Sequence, residues 1–241
     1  LNYISRLTGR NKSTLYYHYK NTFGRFYKRI KLDSENELFV GELIGLFVGD
    51  GNCFMDKKKY RYFVRFYFNV SERDYVKQLV SLFYKHFNKN PTINRSKNVL
   101  VIRYYSKDLF NFILGYVGWK VSKDAIGRNK KSRTVYLKDK KHSREFKIGF
   151  LRGFIDSDGY FTDKKILFGS SSKKIIEQTK DFLKDLRFKD FRISFYKDKR
   201  INCIGMWHLY ISKSEREKFC EIISPRNLTK INAPTGIRIS E

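Results

Sequence analysis

Two aspartates 108 residues apart, Asp50 and Asp158, stand in nonapeptides of one design, LIGLFVGDG (43–51) and LRGFIDSDG (151–159). In each, the last acidic residue closes an apolar helical run and a glycine follows it, the natural stop of a helix. A carboxylate there is unfavourably placed, because it lies beside the negative end of its own helix. Small residues recur four apart, Gly45 and Gly49 in the first nonapeptide, Gly153 and Ser157 in the second. Glycine inside a helix costs about 1 kcal/mol against alanine, so a pair within one turn implies close approach of another helix. If the two helices pack on each other about a pseudo-twofold axis, Asp50 and Asp158 arrive side by side. A divalent cation would relieve both the helix-end penalty and the repulsion between the carboxylates.

The elements that must position this pair form an internal repeat. After Gly51, the stretch from Tyr60 to Val70 alternates with period two: Tyr62, Val64, Phe66 and Phe68 against Arg61, Phe63, Arg65, Tyr67 and Asn69. That pattern predicts a strand with cations on one face. Val76, Leu79, Leu82 and Phe83 predict a helix over 71–87 opened by a Ser71 cap. A hairpin over 92–95 and 99–105 and a helix over 107–117 follow. The second unit repeats the order, with strands at 160–162 and 166–169, a helix at 171–186, strands at 191–196 and 206–211, and a helix at 214–223. Upstream, residues 1–32 predict a helix near 4–8, a turn at Gly9 and a second helix near 12–20. That is the order of a helix-turn-helix whose second helix presents Ser13, Thr14, Tyr17 and Lys20 outward. A basic helical hairpin packed on the main domain is the other reading. The acidic and polar stretch 33–37 marks a boundary.

Composition narrows the partner. The 241 residues carry 51 Lys+Arg against 24 Asp+Glu, a formal net charge of +27, with 41% hydrophobic and 17% aromatic residues. So much apolar and aromatic surface argues for a folded chain with a real core rather than a basic tail. So large a charge calls for a polyanion, with nucleic acid favoured over a membrane surface. No run of 18 apolar residues and no signal-peptide pattern occurs within the sequence, and the expectation is a soluble, intracellular protein acting where its target DNA lies. Starting at Leu1 rather than Met, the chain is expected to lack something upstream. Cys53, Cys203 and Cys220 are scattered and form no CxxC pair, and the four histidines show no metal-finger spacing, so disulfide and zinc readings are both poor.

The two nonapeptides resemble the signature of the LAGLIDADG homing endonucleases in their single-chain, two-motif form. The resemblance covers roughly residues 38–232, and the repeat order matches that family's two αββαββα halves. Val48 replaces the first acidic residue of the signature, whereas Asp50 and Asp158 both fall on the catalytic position. The resemblance implies an α+β fold in which two pseudo-symmetric halves form a DNA-binding β-saddle. It also implies hydrolysis of double-stranded DNA with Mg²⁺, two or three ions, between Asp50 and Asp158, and with Ca²⁺ or Mn²⁺ as substitutes. Such chemistry needs an activated water and charge stabilisation at the attacking and leaving oxygens. The carbonyls of Gly49 and Ser157, just before each aspartate, would be the further ligands. The family places a basic residue after the last helix of each half, and Lys123 and Lys230 occupy matching places; Lys120 competes with Lys123.

On such a saddle Arg61, Arg65 and Arg103 face DNA in the first half, and Arg192, Ser194 and His208 in the second. Loop cations Lys57, Lys58, Lys59, Lys97, Lys164, Lys165, Lys197, Lys199 and Arg200 would meet phosphates. The expected organisation is a helix-turn-helix-like segment at 1–32, a first half at 33–119, a basic linker at 120–146 and a second half at 147–241. The linker either tracks the DNA backbone or is a disordered tether. Both motifs lie in one chain, which implies a monomer acting on a long target site. Two rivals stay open: an RNA-binding intron maturase on the same fold, and a non-catalytic DNA-binding regulator, which the retained acidic pair disfavours.

Overall fold

A computed structural model of the chain describes residues 1–23, 30, 32–120, 131–162, 165–197, 205–227 and 229. Its centre is built by the two helices that carry the nonapeptides, α3 (Glu37–Asp50) and α7 (Arg144–Asp158). Each starts at a residue whose side chain accepts a backbone N–H, Asn36 from Phe39 and Ser143 from Phe146, satisfying donors the helix itself cannot. Along their contact, a Cβ on Gly41 or Gly45 would overlap the carbonyl oxygens of Phe146 or Phe150. One on Gly149 or Gly153 would overlap those of Leu38 or Glu42. Every one of these pairings maps onto its mirror by the 108-residue offset, so the helices cross about a local twofold. Only glycine permits so close a backbone approach.

From Gly51 the chain enters β1 (Gly51–Asp56) and β2 (Arg61–Asn69), passes through α4 (Arg73–Phe87), returns in β3 (Thr92–Ser96) and β4 (Val99–Tyr105), and ends the half in α5 (Lys107–Tyr116). The second half repeats this as β7 (Gly159–Thr162), β8 (Lys165–Ser170), α8 (Lys173–Asp185), β9 (Phe191–Tyr196), β10 (Met206–Ile211) and α9 (Arg216–Ile223). Each half forms a four-stranded antiparallel sheet, ordered β1-β2-β4-β3 and β7-β8-β10-β9. The alternation in β2 holds from Val64 onward: Val64, Phe66 and Phe68 are buried, while Arg61, Arg65 and Tyr67 stay partly exposed on the opposite face, where Phe63 is buried as well. Phe66 packs edge-on to Phe47 of α3, and Phe168 tilts against Phe154 of α7, so each sheet is seated on its own motif helix by an aromatic pair.

Two local features differ from expectation. The cap expected at Ser71 is instead Asn69, which heads a 3-10 turn (Val70–Glu72) leading into α4. The Asn69 side chain accepts from Ser71 N, and Glu72 reaches back to Asn69 N at 2.7 Å, a reciprocal capping box. The basic stretch after 120 is built into the body from residue 131 onward. It contains α6 (Lys131–Thr134) and β6 (Tyr136–Leu137), which pairs with β5 (Val117–Gly118), and α7 begins at Arg144, inside the stretch read as linker. Val135 and Leu137 are buried, and Gln178 of α8 bonds both backbone groups of Leu137 at 2.8 Å. A few apolar residues among many lysines thus suffice to anchor the connection. At the N-terminus, α1 (Asn2–Thr8) and α2 (Lys12–Phe23) flank Gly9, which takes the left-handed conformation at φ 63.

Candidate active site and nucleic-acid interface

The close approach of α3 and α7 brings their last turns into contact. A Cβ on Gly49 would overlap the Ser157 hydroxyl oxygen and lie 3.2 Å from the backbone nitrogen of Asp158. Asp50 is half-buried and Asp158 is exposed, so the two motif carboxylates end adjoining turns at a solvent-accessible edge of an otherwise buried helix pair. Ser157 itself is buried, its hydroxyl turned back to the Gly153 and Phe154 carbonyls at 2.8 and 3.2 Å. Among the described residues no cluster of three or more His, Cys, Asp or Glu could hold a metal. The donors on offer are two carboxylates and backbone oxygens, a hard set suited to an ion that keeps waters and takes one or two carboxylates plus phosphate oxygens. Cys53, the nearby sulfur, is buried, and desolvation pushes its thiol up to about 12, which withholds a soft thiolate from the site.

Lys131 is a residue that sequence reasoning missed. Its Nζ donates to the carbonyls of Phe47 at 2.6 Å, Val48 at 3.2 Å and Gly51 at 2.6 Å, capping the end of α3 beside Asp50. It also lies 4.5 Å from the centre of the Phe47 ring. Burial draws its ammonium down to about 8, against the opposing pull of the Asp158, Cys53 and Asp50 charges. A cation at a helix C-terminus offsets the local negative potential. The only sequence signal is the run GRNKKSR, in which nothing distinguishes Lys131 from its neighbours. Lys123 and Lys230 lie outside the described residues; Lys120 is exposed and donates its backbone N–H to Thr134 Oγ1 at 3.0 Å.

The end of α7 is held differently. Asp156, the residue matching Val48, is buried and accepts the backbone N–H groups of Arg226 and Asn227 at 3.0 and 3.1 Å. The Asn227 amide donates to the Asp156 carbonyl at 2.9 Å and to Glu72 Oε1 at 2.7 Å, tying the segment after α9 to both halves. Burial, ahead of those hydrogen bonds, pushes the Asp156 carboxyl up to about 6. Between the helices, Glu42 lies 3.3 Å from Arg152 and 3.3 Å from Arg226, and burial raises its carboxyl despite both cations.

The sheet faces turned away from the helices carry the predicted readers. Across the first sheet, Asn52, Arg65, Arg103 and Thr92 form one row, and Arg61 lies opposite Asp56. Across the second, Arg192 stands opposite Tyr210 and Ser194 opposite His208. Lys57, Lys58 and Lys59 occupy the exposed β1–β2 turn, Lys97 the β3–β4 turn at φ 51, and Lys197 is exposed after β9. Lys164, Lys199 and Arg200 lie outside the described residues, as does the side chain of Lys165. In α2, Ser13 and Thr14 are exposed, while Tyr17 meets Tyr60 edge-on at 6.3 Å and Lys20 lies 5.4 Å from the same ring. Lys107 Nζ caps the end of α2 through the Thr22 carbonyl at 2.6 Å.

Residues 145–224 match the family described as a LAGLIDADG-like domain. The chain is 28% identical over 181 residues to Uncharacterized protein MJ0398 of Methanocaldococcus jannaschii, which covers 73% of this chain and 59% of that protein. The chain thus spans less than two thirds of the length of that relative. Its fold is similar to that of the homing endonuclease I-DmoI in a structure of mesophilic variants, with a TM-score of 0.57, 18% identity, and coverage of 80% of this chain and 99% of the other. A structure of I-DmoI in complex with DNA and Ca gives 0.55, 18%, 78% and 89%. The homing endonuclease I-WcaI bound to its DNA recognition sequence gives 0.52, 14%, 81% and 86%. With both motif helices packed about one axis and a four-stranded sheet on each, the chain has the fold of the LAGLIDADG homing endonucleases, and its second half matches a LAGLIDADG-like domain.

Proposed function

We propose that the chain is a site-specific double-stranded DNA endonuclease of the homing type, monomeric and dependent on a divalent cation, with Mg²⁺ the fitting ion. The observation that carries this reading is the pair of motif carboxylates on touching helix ends, in a chain of net charge +27. Asp50 and Asp158 would hold the cations, with the Gly49 and Ser157 carbonyls as further oxygen donors. The chemistry supplied when they are bound is an activated water and neutralisation of charge at the attacking and leaving oxygens. Lys131 keeps the end of α3, and so Asp50, in place. Lys123 and Lys230 are candidates for a basic group beside each scissile phosphate. Arg61, Arg65, Arg103, Arg192, Ser194 and His208 would face the bases, and the loop lysines the backbone. The N-terminal helices would contact DNA beside the footprint of the sheets through Ser13 and Thr14, with Tyr17 and Lys20 bracing α2 on the β1–β2 turn.

The decisive experiment assays a candidate target duplex with Asp50→Asn and Asp158→Asn. Each variant is expected to lose double-strand cleavage while binding DNA within a few-fold of the parent, and Ca²⁺ is expected to support binding without cutting. Undiminished cleavage in either variant overturns the shared-cation reading. If about 8 phosphates are neutralised, log K falls against log salt with a slope of about −7; a slope near zero overturns the interface.

A further inference from the structure

The strand registers place the two sheets in strict correspondence, which allows their exposed faces to be compared residue by residue. Gly51 pairs with Phe66 and Phe66 with Ile102; Gly159 pairs with Phe168 and Phe168 with Leu209. One step outward from these buried positions, the row Asn52–Arg65–Arg103–Thr92 in the first sheet corresponds to Tyr160–Leu167–Tyr210–Arg192 in the second. Both rows begin two residues past a motif aspartate. On the two inner strands, where the first sheet has two arginines, the second has leucine and tyrosine.

We propose that these rows read opposite base compositions: a guanine above Arg65 and Arg103, and an A·T pair with its thymine methyl against Leu167 and Tyr210. The proposal rests on the endonuclease reading and names the target that reading leaves open. Arg65 and Arg103 face each other directly across β2 and β4, an arrangement of like charges that weakens a sheet unless an acceptor-rich partner lies over it. Both are steadied in place. The Arg65 guanidinium lies 4.7 Å from the Phe63 ring centre, and Arg103 Nη1 donates to the Tyr105 hydroxyl at 3.2 Å. Their Nε–H groups are buried and have no acceptor among the described residues, so a base edge would be met by the Nη groups. Guanine O6 and N7 offer the paired acceptors that a guanidinium fork matches, and a phosphate would not require the cations at mid-sheet. Across the second row the cation is Arg192 on the edge strand β9, its guanidinium 5.2 Å from the Tyr210 ring centre. The thymine C5-methyl of an A·T pair meets the apolar carbons of Leu167 and Tyr210, a contact that a G·C pair cannot make.

The test selects duplexes bound by the full chain in Ca²⁺ from a library with randomised half-sites. The parent is expected to fix guanine at one position and A·T at the position mirroring it across the centre. Arg65→Leu should lower the guanine preference about tenfold or more at that one position, and Leu167→Arg should create a guanine preference at its mirror. Arg65→Lys, which keeps the charge and loses the fork, should lower the preference while leaving the salt slope unchanged. Lys58→Ala should weaken all sequences alike. Equal base preference at the mirrored positions, or an Arg65→Leu variant that selects the parental bases, overturns the proposal and leaves the endonuclease reading standing. Failure to bind any duplex overturns both.

Discussion

The two halves are alike where they touch and unlike where they face outward. Along α3 and α7, Gly41 and Gly45 meet the backbone of α7, and Gly149 and Gly153 meet that of α3, through the same 108-residue offset. At those ends the likeness stops. The Val48 carbonyl accepts from a lysine ammonium, while the matching Asp156 carbonyl accepts from the Asn227 amide. Val48 is an apolar core residue, and its counterpart Asp156 is a buried carboxylate clamping a backbone turn. The contrast widens on the sheets, where Arg65 and Arg103 correspond to Leu167 and Tyr210. Packing on the axis constrains both copies together, whereas residues off the axis diverge separately.

Identical substitutions in the two motif helices probe the likeness with the largest expected effect. Glycine to alanine in a helix ordinarily stabilises by about 1 kcal/mol. Gly45→Ala and Gly153→Ala should instead each destabilise by about 2–3 kcal/mol in urea unfolding, because the new methyl overlaps a backbone carbonyl that cannot yield. A stabilised variant, or a large inequality between the two, would break the twofold description.

Asp156→Val installs the first half's residue in the second and sharpens the contrast. It strands the Arg226 and Asn227 amides, and the expected loss is about 2 kcal/mol. Hydrogen exchange at those two amides should quicken while exchange in α3 stays unchanged. A neutral outcome would mean that the clamp is dispensable.

Lys131→Met probes the unlike caps with a smaller, pH-dependent effect. The native ammonium is drawn down to about 8 from an ordinary value near 10.5, so between about 8 and 10.5 the unfolded chain binds the proton more readily. The parent should therefore gain stability relative to Lys131→Met as pH rises through that window, by about 1 kcal/mol or more, with the cost of enclosing the charge fully felt below pH 8. Urea midpoints for both proteins at pH 7, 9 and 10.5 measure it. Parallel profiles would place the ammonium in ordinary solvent.

Much of this was legible in local pattern. Period-two alternation found β2 with its arginine face, and β9 and β10 lie where the sequence reading put them, because strand sidedness is written residue by residue. The acidic residue and glycine closing each apolar run marked the ends of α3 and α7 for the same local reason. Asn69 escaped notice as the cap before α4, since Ser71 is an equally good candidate until Glu72 is seen to reach back.

The sequence by itself determined the two motif helices, the alternating strands, the duplication and the positive charge, all carried by neighbours in the chain. Only the tertiary structure decided which lysine of a basic run meets the end of α3, that Asp156 is a clamp, and that a connecting stretch with few apolar residues is anchored through Val135 and Leu137. Each of those outcomes depends on partners 37 to 84 residues away. A lysine or an aspartate takes its meaning from the acceptors, donors and burial that such distant segments bring to it.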